Sequence, residues 1–146
     1  PPRAEAAVLC RRYGLLRNIE IKPATGHEAA TGASVARFVQ ERWQGLPPLL
    51  SSFSAEALQA AWCVAPELQY GLLFEAVPAD WQRQCGAIGA VTLHCAAGRV
   101  TDALLAEAAA AGVPVLCYTV NEAGAAQALF ARGVSSVFSD RIDLLP

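Results

Sequence analysis

Apolar and polar positions along the chain change their period several times, and the changes come at regular intervals. In Asn18-Ile19-Glu20-Ile21-Lys22 they alternate with period two, which predicts a strand that Pro23 ends. Residues 4–13 ahead of it carry the pattern of a helix's tail, stopped by Gly14. From about Ser34 to Trp43, Val35, Phe38, Val39 and Arg42 fall at helical spacing, and Gly45 with Pro47-Pro48 ends that helix. Leu49-Leu50-Ser51-Ser52-Phe53 predicts a second strand, and Ser54 caps a helix over 55–63 with Glu56 in its positive first turn. The same reading gives strands over 70–74, 90–94, 113–120 and 134–139. Helices fall between them at 79–85, introduced by Pro78, at 100–111, closed by Gly112, and at 122–132, closed by Gly133.

The strands begin near residues 18, 49, 70, 90, 113 and 134, so the later units recur every 20–23 residues. A βα repeat with short connections predicts a parallel sheet under a helical layer. Two architectures fit it. A doubly wound three-layer sheet is complete at 146 residues, whereas an eight-stranded barrel needs about 250, so length favours the sheet.

Composition narrows the function classes. Hydrophobic residues make up 54% of the chain and charged residues 16%, below the roughly 25% of an average soluble domain, which excludes disorder and calls for a core with broad apolar walls. Eleven Lys and Arg against thirteen Asp and Glu give a net charge of −2 with no basic block, which argues against a nucleic-acid partner. No apolar run approaches the roughly 20 residues that cross a bilayer, so no membrane partner is expected. No charged leader with an apolar stretch behind it is visible, so no secretory signal is expected. Cys10, Cys63, Cys85, Cys95 and Cys117 show neither a C-x-x-C pair nor zinc-like spacing. They read as buried small hydrophobes in a reducing compartment.

The polar residues inside the strands carry the chemistry. Period two puts Asn18, Glu20 and Lys22 on one face and both isoleucines on the other. A strand covered on both faces holds such charges only if they pair or if that face opens into a site. Glu20 and Lys22 are therefore either a structural ion pair or a cation-facing and an anion-facing group about 6–7 Å apart, the arrangement of a metal-assisted phosphoryl reaction. Ser51 and Ser52, His94, Tyr118 with Asn121, and Asp140 lie at the ends of later strands, on the side where parallel α/β folds place their chemistry. Each also has a plain structural reading. The serines can be satisfied strand-end hydroxyls, His94 a hydrogen-bonded structural residue, and Asn121 a cap for the helix beginning at Glu122. Asp140 can partner Arg141 or nearby backbone N–H groups. No G-x-S-x-G and no glycine-rich phosphate loop is present, and His27 lies on a Gly/Thr-rich loop with no assignable partner.

In order, Asn18-Ile19-Glu20-Ile21-Lys22-Pro23, Leu49-Leu50-Ser51-Ser52-Phe53, Tyr70-Gly71-Leu72-Leu73, Tyr118-Thr119-Val120-Asn121 and Gly133-Val134 leading to Ser139-Asp140-Arg141-Ile142-Asp143 resemble the successive strand ends of the glycerophosphodiester phosphodiesterase family. The nearest likeness is to its bacterial cytoplasmic enzymes. The resemblance implies a TIM barrel in place of the doubly wound sheet. Residues 1–146 would then be the carboxyl-terminal part of the barrel domain, an incomplete α/β barrel holding its third to eighth strands. It further implies Glu20 as a ligand of a divalent ion, Mg2+ or Ca2+, and Lys22 as a contact to the substrate phosphate. Phe53 and Tyr118 resemble pocket walls, and His94 sits where relatives line the mouth near the glycerol.

The implied reaction is hydrolysis of a glycerophosphodiester to glycerol 3-phosphate and an alcohol such as choline or ethanolamine. The family's acid and base histidines have no counterpart among these residues. No catalytic residue is therefore assigned, neither His27 nor His94 inherits those roles, and the chain alone is expected to be inactive. Its open sheet edges are expected to favour self-association. Two rivals stand beside this reading. One is a non-catalytic α/β ligand-binding or interaction domain in which Glu20 and Lys22 pair structurally. The other is a barrel phosphodiesterase acting on phospholipids, against which the lack of a basic amphipathic helix counts.

Overall fold

A computed structural model describes residues 3–141 and 143. The elements alternate from helix α1 (Arg3–Arg12) through strand β1 (Asn18–Glu20), α2 (Glu28–Arg42), β2 (Leu49–Ser52), α3 (Ala55–Val64) and β3 (Gln69–Phe74). They continue through α4 (Trp81–Ala87), β4 (Ala90–Ala96), a 3-10 turn (Ala97–Arg99), α5 (Asp102–Ala110), β5 (Val115–Tyr118), α6 (Ala123–Ala131) and β6 (Ser136–Val137). The six strands form one sheet in the order β1-β2-β3-β4-β5-β6, each pair parallel. That order decides between the two architectures. A doubly wound sheet reverses direction at a switch point, whereas sequential parallel neighbours curl one way. The fold is an incomplete α/β barrel of the TIM type.

Each strand has a helical face and an inner face. Ile19 and Ile21 of the first strand segment, with Leu50, Tyr70, Leu72, Leu93, Cys95, Val115 and Cys117, belong to the core under the helices. The register partners Glu20, Ser51, Gly71 and Thr92 fall on the opposite, inner face. Tyr70 illustrates the outer layer: its hydroxyl, wholly buried, donates to the Ala65 carbonyl at 2.7 Å just beyond α3.

Helix α2 begins at Glu28, several residues before the periodicity predicts, and Gly32 explains the difference. A Cβ there would lie 1.9 Å from the Ala57 carbonyl oxygen, so this residue lets α2 and α3 touch backbone to backbone. Glycine in that stretch marks a close approach and not a loop. Ser54 caps α3 as expected, accepting from the Ala57 N–H at 3.1 Å. Strand β5 is shorter than the predicted 113–120, partly because Pro114 lacks an N–H and only its carbonyl joins the ladder, accepting from Leu93 at 3.0 Å.

Candidate active site at the carboxyl ends of the strands

The inner face ends in a rim where the strands deliver their last side chains. Alternation carries Glu20 and Lys22 to the end of β1, Phe53 to the end of β2 and Tyr118 to the end of β5. Lys22 Nζ lies 3.6 Å from Glu20 Oε1, with the lysine side chain 78% exposed. The Phe53 ring, half exposed, meets the edge of the Tyr118 ring at 5.8 Å and 79°. Strands β2 and β5 are not neighbours, so this contact spans the mouth of the curled sheet. The Tyr118 hydroxyl donates to the Phe74 carbonyl at 2.8 Å, which fixes the ring against the end of β3. Burial pushes the Tyr118 phenol above its ordinary range, and the nearby Glu75 and Glu20 carboxylates add to the shift.

That electrostatic coupling brings in a residue the sequence reading missed. Glu75 directly follows β3, and continuing the alternation through Gly71 and Leu73 puts it on the inner side of the rim. The signal was present in the pattern, masked by the continuous apolar run Leu72-Leu73-Phe74.

Below the rim the inner face carries the buried polar residues Ser51 and His94 and the half-buried Thr92 among apolar neighbours. His94 is fully buried, its Nε2 3.0 Å from Thr92 Oγ1 and its ring 5.3 Å from that of Phe138. Burial holds its imidazole down at about pH 4, so it is neutral near pH 7. The ring fits because residue 71 is glycine: a Cβ there would lie 2.7 Å from His94 Nε2 and 2.6 Å from Thr92 Oγ1. Ser51 Oγ and His94 Nδ1 are buried without a protein partner. Ser52, by contrast, is structural, donating to the Ile21 carbonyl at 2.7 Å and accepting from the Ser54 N–H at 3.0 Å.

The strand ends beyond Tyr118 serve the scaffold. Asn121 does not cap α6; its Oδ1 accepts from the Asp140 N–H at 2.9 Å and from the Ser139 hydroxyl at 3.1 Å, tying the end of β5 to the end of β6. Asp140 accepts from Asn121 Nδ2 at 3.3 Å, while Arg141 pairs with Asp143. His27 stands at the start of α2, where its side chain makes no capping bond. A surface cleft of about 710 Å3 lined by Arg11, Arg37 and Trp43 lies along α2, away from these strand ends.

Glu20 gives one carboxylate, and Lys22 crowds it with a positive charge. Among the described residues no group of three or more His, Cys, Asp or Glu side chains could hold a metal. Ca2+ and Mg2+ take six or more oxygens, most of which water and substrate would have to supply beside Glu20 and Glu75, so the donors present do not by themselves enclose such an ion.

The sequence pattern of the glycerophosphoryl diester phosphodiesterase family matches residues 4–144. The chain belongs to this family. Among solved structures it is similar to a phosphodiesterase of Oleispira antarctica in complex with the product sn-glycerol 3-phosphate, with 33% identity and a TM-score of 0.89. That match covers 96% of this chain and 57% of the other. Glycerophosphodiester phosphodiesterases of Parabacteroides distasonis and Thermotoga maritima share the fold, with TM-scores of 0.77 and 0.68 at 10% and 18% identity. These matches cover 96% and 89% of this chain and 60% and 56% of the others. The chain thus spans 56–60% of the length of these relatives. No curated protein matches it.

The matches correct one expectation. The likeness is not that of a carboxyl-terminal part only: the family match begins at residue 4, inside α1, and takes in the segment ahead of Asn18 that the strand-end resemblance left out. Among the described residues no helix is long and apolar enough to cross a membrane.

Proposed function

We propose that the chain binds the glycerol phosphate end of a glycerophosphodiester at the rim and serves its hydrolysis to glycerol 3-phosphate and an alcohol such as choline or ethanolamine. The observation that carries this reading is the meeting of Lys22, Glu20, Phe53 and Tyr118 on one mouth, in a chain of this family. The Oleispira antarctica relative, bound to sn-glycerol 3-phosphate, supports the substrate class. Lys22 offers a mobile, exposed ammonium as a point charge for the phosphate. Phe53 and Tyr118 wall the apolar side of the glycerol chain, while His94, fully buried beneath the rim, supports the face from below and does not itself meet the ligand. Glu20 can give a divalent cation, Mg2+ or Ca2+, one oxygen; anion binding rests on Lys22 and the aromatic walls.

The two histidines are poorly placed as acid and base. His94 is buried and neutral, and His27 sits at the start of α2, so turnover by this chain alone is not expected. The five free cysteines support a reducing, cytoplasmic setting. The rival in which Glu20 and Lys22 are a structural pair is weakened by the exposure of Lys22, since a pair with one partner in solvent contributes at most about 1 kcal/mol.

The test is a ligand panel read by thermal shift. Sn-glycerol 3-phosphate and glycerophosphocholine should each raise the melting temperature, and phosphatidylcholine vesicles should not. A response to vesicles alone would favour the lipid phosphodiesterase, and no response to any ligand would favour the non-catalytic domain.

A further inference from the structure

On the outer face, Cys95 of β4 and Cys117 of β5 are register partners on adjacent parallel strands. Both are fully buried under the helices and both are free. Register partners on neighbouring strands lie about 4.8 Å apart, inside the roughly 4.4–6.8 Å Cα separation that disulfides span. Their side chains leave the sheet on the same face, and the two thiols interact, which raises Cys95 and lowers Cys117.

We propose that this pair is an oxidation site, closing to a Cys95–Cys117 disulfide when the protein meets hydrogen peroxide. The proposal is independent of the ligand at the rim. Cys117 is the first nucleophile: its interaction with Cys95, helped by the positive field of Arg132, pulls its thiol below the ordinary range against burial. The same interaction, with burial, raises Cys95, which keeps its proton. The Cys117 thiolate attacks one peroxide oxygen, the O–O bond breaks, and the released hydroxide takes the proton that Cys117 gave up, forming water and a sulfenic acid. The Cys95 sulfur then attacks the sulfenyl sulfur, and the departing hydroxyl takes the Cys95 proton as a second water. Two thiols lose two electrons, and peroxide gains them. Neither thiol needs a partner from outside the chain.

The resulting bridge joins the strands that carry His94 and Tyr118, so it ties the floor of the inner face to its rim. In a reducing setting it would be transient, reopened by a small thiol.

The experiment treats the native protein with hydrogen peroxide, quenches it in acid, denatures and alkylates it, and maps the peptides by mass spectrometry. The expected result is a linked peptide pair containing Cys95 and Cys117, lighter by two hydrogens than the sum of the free peptides, with Cys85 recovered alkylated. Dithiothreitol should restore both free peptides. Peroxide treatment of the wild type unfolded in urea should lose this selectivity, and Cys117→Ser should leave Cys95 alkylated. Recovery of Cys95 and Cys117 as alkylated thiols, their separate oxidation to sulfinic acids, or links to other cysteines as frequent as the Cys95–Cys117 link in the native protein would each overturn the proposal.

Discussion

Replacing Gly32 by alanine adds one methyl group where α2 meets the backbone of α3 in the outer layer. On propensity alone the change should stabilise α2 by about 1 kcal/mol. The structure predicts the opposite sign. The new Cβ would sit 1.9 Å from the Ala57 carbonyl oxygen, 2.7 Å from its carbon and 3.0 Å from its Cα. These are backbone atoms of a fully buried residue and cannot rotate away. An ordinary carbon–oxygen contact is about 3.3 Å, so α2 and α3 must part by more than about 1 Å. A gap of that size forfeits roughly a quarter to a half of the dispersion energy across Ala36, Val39, Leu58 and Ala61, and overpacking costs about 1–3 kcal/mol. The net expectation is a loss of about 2 kcal/mol, or roughly 4–8 °C in melting temperature for a chain of this size. Gly124 is the control. It lies in α6 with nothing within 4 Å of its would-be Cβ, so Gly124→Ala should gain about 0.5–1 kcal/mol. Urea denaturation of both variants reads the difference. If Gly32→Ala is as stable as the parent or more so, the argued backbone contact between α2 and α3 is wrong.

His94 gives a pH prediction. Its folded pKa, about 4, lies below the unfolded value of 6.5, so the unfolded chain binds a proton in that window and the folded chain does not. Stability from the neutral imidazole is complete above about pH 6.5 and lost as pH falls to about 4, by up to about 3 kcal/mol. Urea midpoints from pH 7 to pH 4 should therefore fall more steeply for the wild type than for His94→Asn, and equal slopes would refute the buried neutral ring. At the rim, Glu20→Gln removes a negative charge about 7 Å from a phosphate held by Lys22. At low salt, without divalent cations, this should tighten sn-glycerol 3-phosphate by about 1 kcal/mol, near fivefold. Calorimetry showing weaker binding would place the phosphate elsewhere.

The strands were legible because their polar residues are few: Glu20 alternates between two isoleucines, and Ser51 and Ser52 close a short leucine run. The sheet's curl was not, since doubly wound and barrel strands bury both faces alike; the sequential parallel order settles it. Local pattern also predicted Ser54 as a cap, because that bond spans three residues. It missed the early start of α2, because only the distant Ala57 shows why residue 32 is glycine. The Phe53–Tyr118 contact, the Asn121–Asp140 link and the Cys95–Cys117 register are long-range pairings that no short window contains. Glu20, Lys22, Phe53 and Tyr118 could each be picked out as strand ends. That they share one mouth with Glu75 became visible only in three dimensions.

The most direct test of the account is calorimetric titration of sn-glycerol 3-phosphate into the protein and into Lys22→Ala. Saturable binding by the parent, weakened about tenfold or more in the variant, is the expected result, since a hydrogen bond to a charged group contributes about 1.5–3 kcal/mol. Binding that is absent in the parent, or unchanged when Lys22 is removed, would contradict the assignment of the rim as a glycerol phosphate site.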